Sequence, residues 1–293
     1  VAIPEALFTD REVLVLELRD LLFRGWAVVG HASALTSPGD RLLCDVATRS
    51  WVVVRQAEGR LGAFRNRCLH AGYPIVEAGD APSSTLLICK FHGWRYDLSG
   101  RLIHAPHLPP TGSASPPCLK PYAVEERDGL VYLAAAASEG NVPADLPPRP
   151  DTLPEAPHWL GGSVAAPVHT VTLAENWKRL ASRMAELLRG WLGPAHGALR
   201  VHPYGPLGWF ATDSKATALV VRLAPRDVGQ TDISLLALRS PSEPVSACFD
   251  AIASLRAPQL AETLGKLPPE DIRDDFYARY FALLPISNFS TQF

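Results

Sequence analysis

Apolar and polar residues alternate in short runs along the first half of the chain, and turn residues separate the runs. Trp26 to Val29, Leu42 to Val46, Trp51 to Arg55 and Leu61 to Arg65 each read as a strand, the last two parted at Glu58-Gly59. Leu86 to Cys89, Tyr122 to Glu125 and Leu130 to Leu133 continue the series, with Asp128-Gly129 joining the final pair. This pattern predicts a small all-β domain of antiparallel hairpins. Ahead of it, Thr9-Asp10-Arg11-Glu12 has the form of a capping box with Thr9 as N-cap. Leu14, Leu18, Leu21 and Leu22 then recur at helical spacing to Phe23. From Ser138 to Pro157 the composition changes. Pro143, Pro147, Pro148, Pro150, Pro154 and Pro157 exclude helix and central strand and predict a semi-rigid extended linker. Beyond it come a strand from Val168 to Leu173 and a long helix from Glu175 to about Leu192. Trp177, Leu180, Ala181, Met184, Leu187, Leu188 and Trp191 lie along one face of that helix. Strands at Leu207 to Thr212, Thr217 to Leu223 and Asp232 to Arg239 follow, then helices at Val245 to Arg256 and Glu270 to Leu284. Strands succeeded by helices predict an α+β domain with an antiparallel sheet.

Composition narrows the class. The 293 residues leave room for two domains, and 47 % apolar with 20 % charged content is that of an ordinary globular protein. The net charge is −2 with no run of Lys or Arg, so neither nucleic acid nor an acidic membrane is an expected partner. No apolar stretch reaches the length of a membrane span, and no basic-then-apolar signal opens the chain, so a cytoplasmic location is expected.

The chemistry concentrates in two short stretches, Cys68-Leu69-His70 and Cys89-Lys90-Phe91-His92, with 18 residues between His70 and Cys89. Two thiolates and two imidazoles could hold a tetrahedral zinc. The C-x-H and C-x-x-H spacing, with glycines after both His, fits better a Rieske [2Fe–2S] centre, in which two His replace two Cys on one iron. In that arrangement Cys68 and Cys89 ligate one iron, and His70 and His92 the other. Gly72 follows the first pair. Gly93-Trp94 follows the second, and Trp94 is placed to shield the cluster from water. Of the five Cys, the remaining Cys44, Cys118 and Cys248 are odd in number, which argues for buried free thiols in a reducing compartment over a disulfide framework.

The run from Cys89 through His-Gly-Trp-Arg-Tyr-Asp-Leu-Ser-Gly-Arg, then Leu102-Ile103-His104-Ala105-Pro106, resembles the Rieske domain of ring-hydroxylating oxygenase alpha subunits. One departure is Ala71, where that family usually has Arg after the first His. It alters the hydrogen-bonding shell and not the ligation. The resemblance implies an all-β Rieske domain plus an α+β helix-grip (START-like) domain with an antiparallel sheet. It divides the chain into an N-terminal helix packing on the core (1–24), the Rieske domain (25–137), a Pro-rich linker (138–160) and a shortened catalytic-like domain (161–293).

In the family, the Asn-Trp-Lys seen here at Asn176 opens the helix that carries a mononuclear iron. A bridging Asp, two His and a C-terminal carboxylate follow it, and the triad leaves positions open on Fe(II). Counting from Asn176, those places fall near Leu187, Gly190 and Ala195, and none is the expected residue. Glu186 is the alternative bridging carboxylate. His196 and His202, with Asp271 or Asp274, form a displaced triad if about six residues are inserted. The helix face that should aim ligands inward is apolar, so the mononuclear iron is expected to be absent. His104, His107, His158 and His169 lack ligand-like spacing and read as structural. The resemblance also implies a reductase or ferredoxin as electron donor and a small organic substrate. Because the cluster loops are retained while the helix after Asn176 lacks its ligands, a complete oxygenase alpha subunit is expected as hetero-oligomeric partner, in the trimer-based head-to-tail ring that the resemblance implies. Two alternatives remain open: a self-sufficient terminal oxygenase using the displaced triad, and a non-catalytic ligand-binding module with a structural cluster. The second domain is shorter than the family's, and Val1 in place of Met raises the expectation that loops are missing.

Overall fold

The computed structural model describes residues 4–19, 25–46, 49–81, 85–106, 116–134, 153, 155–192, 199–204, 207–213, 216–242, 255–267 and 280. Most of the Pro-rich linker lies outside the described residues. So do the helix expected over Glu270 to Leu284, Tyr280 excepted, and that over Val245 to Arg256, except for Leu255 and Arg256. The chain divides into two compact units, Val28–Leu146 and Val1–Ala27 with Pro147–Phe293.

Two short helices open the chain, α1 (Ala6–Thr9) and α2 (Arg11–Glu17). The expected cap moves by one residue. Asp10 Oδ1 accepts the Glu12 backbone N–H at 2.7 Å, while Thr9 Oγ1 turns back to donate to Glu5 O at 3.2 Å. The carboxylate therefore caps α2, and Thr9 closes α1.

Nine strands build the first unit: β1 (Trp26–His31), β2 (Arg41–Val46), β3 (Arg49–Arg55), β4 (Leu61–Arg65), β5 (Leu86–Ile88), β6 (Arg95–Asp97), β7 (Leu102–His104), β8 (Pro121–Arg127) and β9 (Leu130–Ala134). Six pair in the order β1-β9-β8-β4-β3-β2, and β5-β6-β7 form a second small sheet. Strands β6 and β7 are three residues each, too short for alternation to announce them. Strand β3 reads Trp51-Val52-Val53-Val54 and all four side chains are buried, as a strand covered on both faces requires. Val52, Val54 and Phe64 point to one side. There they pack with Leu87, Tyr96, Leu102, Leu119, Cys68 and Cys89 in a single core.

The second unit contains β10 (Val164–Ala165), β11 (His169–Leu173), α3 (Trp177–Ser182), α4 (Met184–Leu192), β12 (Arg200–Pro203), β13 (Gly208–Thr212), β14 (Thr217–Asp227), β15 (Gln230–Arg239) and α5 (Ala257–Lys266). Its antiparallel sheet runs β10-β15-β14-β13-β12, with β11 also on β15. Trp209, Ala211, Leu219, Val221, Leu223, Ile233, Leu235 and Ala237 present one face to a core shared with Leu180, Met184, Leu187 and Leu188. Leu7, Phe8, Val13 and Leu14 of α1 and α2 belong to that core too. The expected single helix after Glu175 is broken at Arg183 (φ −110°, ψ 6°). Ser182 Oγ donates to Arg179 O at 3.1 Å, the kind of side-chain bond back into a helix that bends it. Helix α5 begins where a helix was expected to end. Arg256 is extended, Pro258 sits in the first turn, and the Gln259 side chain accepts the Arg256 N–H at 2.7 Å.

Asn176 anchors α3. Its Oδ1 accepts the Lys178 N–H at 2.9 Å, and its Nδ2 donates to Phe8 O at 2.8 Å and Val228 O at 2.7 Å. Glu17, fully buried at the end of α2, receives Lys178 Nζ at 2.8 and 3.1 Å, Trp177 Nε1 at 2.9 Å and the Tyr280 hydroxyl. The Asn-Trp-Lys triplet thus ties the N-terminal helices to the α+β unit through one carboxylate and two carbonyls.

Candidate metal centre

Two loops of matching construction carry the four donors. The first follows β4, and the second joins β5 to β6. In the first, Cys68 N donates to Tyr73 O at 2.7 Å and Gly72 N to Cys68 O at 3.0 Å. In the second, Cys89 N donates to Trp94 O at 2.9 Å and Gly93 N to Cys89 O at 2.9 Å. Both turns close on a glycine at positive φ, +75° for Gly72 and +70° for Gly93, a conformation that side chains with a β-carbon resist. The loops are therefore related knuckles, each holding its Cys inward and its His at the tip.

Rings clip the knuckles together. His70 stacks on Trp94 at 5.0 Å and 8°, and Tyr73 on Phe91 at 3.7 Å and 17°. The Nδ1 atoms of His70 and His92 face each other at 3.0 Å. Cys68 and Cys89 are buried beneath, while both imidazoles are exposed. Burial pushes the Cys89 thiol up. The backbone N–H groups of Phe91 and His92 oppose that rise, and the neighbouring Cys68 adds to it. Backbone donors aimed at a sulfur favour its thiolate, the form that binds iron.

Tyr96 completes the shell. Its hydroxyl lies 3.2 Å from Cys68 Sγ and accepts the Leu69 N–H at 3.0 Å. Burial, and then contact with Cys68, holds the phenol well above its ordinary range, so it keeps its proton. A metal-bound thiolate is only an acceptor, and the Tyr96 O–H is then the donor. The local sequence around Tyr96 does not announce this role, because its partner lies 28 residues earlier. Lys90, between the second pair of ligands, binds Asp80 and lies 3.6 Å from Glu77.

This donor set fits a two-iron cluster. Among the described residues no three His, Cys, Asp or Glu side chains converge on one point, as a single metal ion would need. A [2Fe–2S] centre takes two protein donors per iron, and a buried sulfur pair beside an imidazole pair supplies that.

The residues considered for a second iron are not gathered in the same way. Glu186 is exposed on α4, and Leu187 and Leu188 beside it are buried in the apolar core. His202 lies on β12 opposite Phe210, with Nε2 3.5 Å from Glu155 Oε1. That separation is an electrostatic contact, since Nε2 has no hydrogen bond. Its neighbour Val201 packs toward the helices, so alternation turns His202 to the other face of the sheet. His196, Asp271 and Asp274 lie outside the described residues. His104 and His158 are exposed, His169 Nε2 meets Leu255 O at 2.9 Å, and His107 is outside the described residues. Cys44 is buried and Cys118 exposed, and neither is in a disulfide among the described residues. Cys248 is outside the described residues.

The paired knuckles on a β domain, followed by an α+β unit with an antiparallel sheet, have the fold of Rieske oxygenase alpha subunits. Residues 25–123 match the Rieske [2Fe-2S] domain family. In sequence, the chain is 26 % identical over 196 residues to the carnitine monooxygenase oxygenase subunit of Escherichia coli K12, covering 66 % of this chain and 52 % of that protein. It is 34 % identical over 105 residues to the benzene 1,2-dioxygenase subunit alpha of Pseudomonas putida, covering 36 % of this chain and 23 % of that one. The chain thus spans between a quarter and a half of these relatives. In fold it matches the apo quaternary ammonium Rieske monooxygenase CntA with a TM-score of 0.68 at 18 % identity, over 96 % of this chain and 86 % of that one. Over these stretches the chain is similar to the alpha subunits of Rieske oxygenases. No described helix is long and apolar enough to cross a membrane.

Proposed function

We propose that this chain is the cluster-bearing component of an O₂-dependent hydroxylase or demethylase system. On this reading it accepts electrons from a reductase or ferredoxin and passes them to a complete alpha subunit in a hetero-oligomer. The observation that carries the reading is the contrast between its two candidate sites. The four cluster donors stand together with shielding and hydrogen bonds in place, while the helix after Asn176 buries Leu187 and Leu188 where polar ligands were sought. When bound, the cluster supplies one-electron uptake and release.

The chain's own residues prepare the site for that. Trp94 is 8 % exposed and covers the His70 ring, limiting water access. Tyr96 holds its proton on Cys68 Sγ. Leu69, Tyr73 and Phe91, exposed by 43, 47 and 51 %, form an apolar collar around the two His. Such a collar supports contact with another subunit at the electron exit. The small organic substrate belongs to the complex.

The test is co-expression with an oxygenase alpha subunit that has all its iron ligands. A stable complex is expected, whose turnover falls when Cys89→Ser removes this chain's cluster. A homo-oligomer that oxidises substrate unaided would defeat the reading and favour the displaced triad. So would a nitric-oxide adduct of high-spin Fe(II) lost on His196→Ala or His202→Ala.

A further inference from the structure

Strand β4 ends at Arg65, three residues before Cys68 opens the first knuckle, so this end of the six-stranded sheet leads into that loop, and several side chains gather there on the face opposite Val52 and Phe64. They are cationic. Arg65 stands opposite Trp51 in register, its guanidinium carbon 5.0 Å from the indole centroid. Tyr122 meets the same indole edge-on at 5.8 Å, and Lys120 Nζ lies 5.9 Å from the Tyr122 ring. Arg49 opens β3 two residues before Trp51 and shares its face. Arg67 reaches the knuckle itself, since a β-carbon on Gly72 would lie 2.8 Å from its Nε.

Arg49 and Arg67 are exposed. Burial pushes the Arg65 guanidinium down, Tyr122 opposes that, and the charges of Arg49 and Arg67 add to the lowering by smaller amounts. Arg55 is paired with Glu126 and Arg226 with Asp232. Here Arg65, Arg67 and Lys120 have no ion-pair partner among the described residues. Positive charge crowded in this way repels itself in the isolated chain and is neutralised by an acidic surface.

We infer that Arg65, Arg67 and Lys120, with Arg49 at their margin, form the docking surface for an acidic electron-donor protein, which reaches the cluster across the loop carrying Cys68 and His70. This rests on the electron-accepting role proposed above. The step is a one-electron transfer in which the donor's reduced iron–sulfur centre loses one electron and this chain gains it, with no bond made or broken. Entry at the basic rim and exit at the apolar collar give the cluster two distinct faces.

The experiment mixes cluster-loaded protein anaerobically with a reduced, acidic plant-type [2Fe–2S] ferredoxin as probe and follows the visible bleaching. The rate is expected to fall about tenfold or more between about 20 and about 300 mM salt. Arg67→Gln/Lys120→Gln, which spares the Arg65–Trp51 packing, should slow the low-salt reaction about tenfold and flatten the salt dependence. Arg65→Lys, which keeps the charge, should leave both nearly as they are. Photoreduced 5-deazariboflavin, a small uncharged reductant, should reduce all three proteins at one rate.

A double variant with the original rate and salt slope would overturn the inference. So would a salt-independent rate in the unaltered protein, or an equal slowing with the deazaflavin. Loss of low-salt self-association at unchanged ferredoxin rate would assign the rim to a second copy instead. Absence of a [2Fe–2S] spectrum would sink the electron-accepting role itself, so the two failures are separable.

Discussion

Tyr96 is the residue whose removal separates tuning from ligation. A hydrogen bond to a thiolate sulfur stabilises the more electron-rich, reduced state, so losing it lowers the potential. Tyr96→Phe is expected to retain the cluster and its absorbance while the midpoint falls by tens of millivolts, on the order of one neutral-to-charged hydrogen bond. An unchanged midpoint in a redox titration would remove Tyr96 from the account. Cys89→Ser acts differently, for it deletes a ligand. The protein should bleach, and the knuckles, with their two rings at 3.7 Å, should lose order to proteolysis. The four ligands were legible in the sequence because ligation fixes local spacing within each knuckle. Tyr96, Arg65 and Glu17 were not, because each acts on a partner brought near only by folding.

Single carboxylates and their partners hold the elements in place. Glu17 accepts three donors in a site with no solvent, so leaving it unpaired is costly. Burial pulls the Lys178 ammonium down, and Glu17 opposes that. Lys178→Met is expected to lose roughly 3–5 kcal/mol in urea unfolding, and Glu17→Leu/Lys178→Met together to recover much of it. A single variant as stable as the parent would show that the pair does not hold the N-terminal helices.

The brace on the second knuckle titrates instead. Lys90 and the Glu77 backbone N–H hold the Asp80 carboxyl below its ordinary value. A depressed carboxyl stabilises the fold above its unfolded value, about pH 4, and that contribution fades as pH falls through the folded value. Lys90 is largely exposed, so the effect is expected only in acid, as faster cluster loss below about pH 4 that Asp80→Asn abolishes. Identical acid lability in Asp80→Asn would dissociate the brace from cluster retention.

Element type followed from hydrophobic period wherever a strand had four or more residues with a buried face. It failed at β6, β7 and β10, which are two or three residues long, at β12, none of whose side chains is fully buried, and at Arg183, where a serine bond breaks a helix whose apolar stripe continues on both sides. The start of α5 had a local signal, Pro258 in its first turn, that apolar spacing alone did not register.

At the scale of the whole molecule, a β domain with an intact four-donor site is joined in one chain to an α+β domain whose helix core is apolar where metal ligands were sought. This contrast is the basis for reading the chain as an electron carrier that depends on a partner for oxygen chemistry. Stoichiometry tests it most directly. Protein purified anaerobically should contain about two irons and about two acid-labile sulfides per chain, with no further iron taken up on anaerobic incubation with Fe(II). About three irons for two sulfides would restore a mononuclear site to this chain and contradict the account, and zinc without sulfide would contradict it at the root.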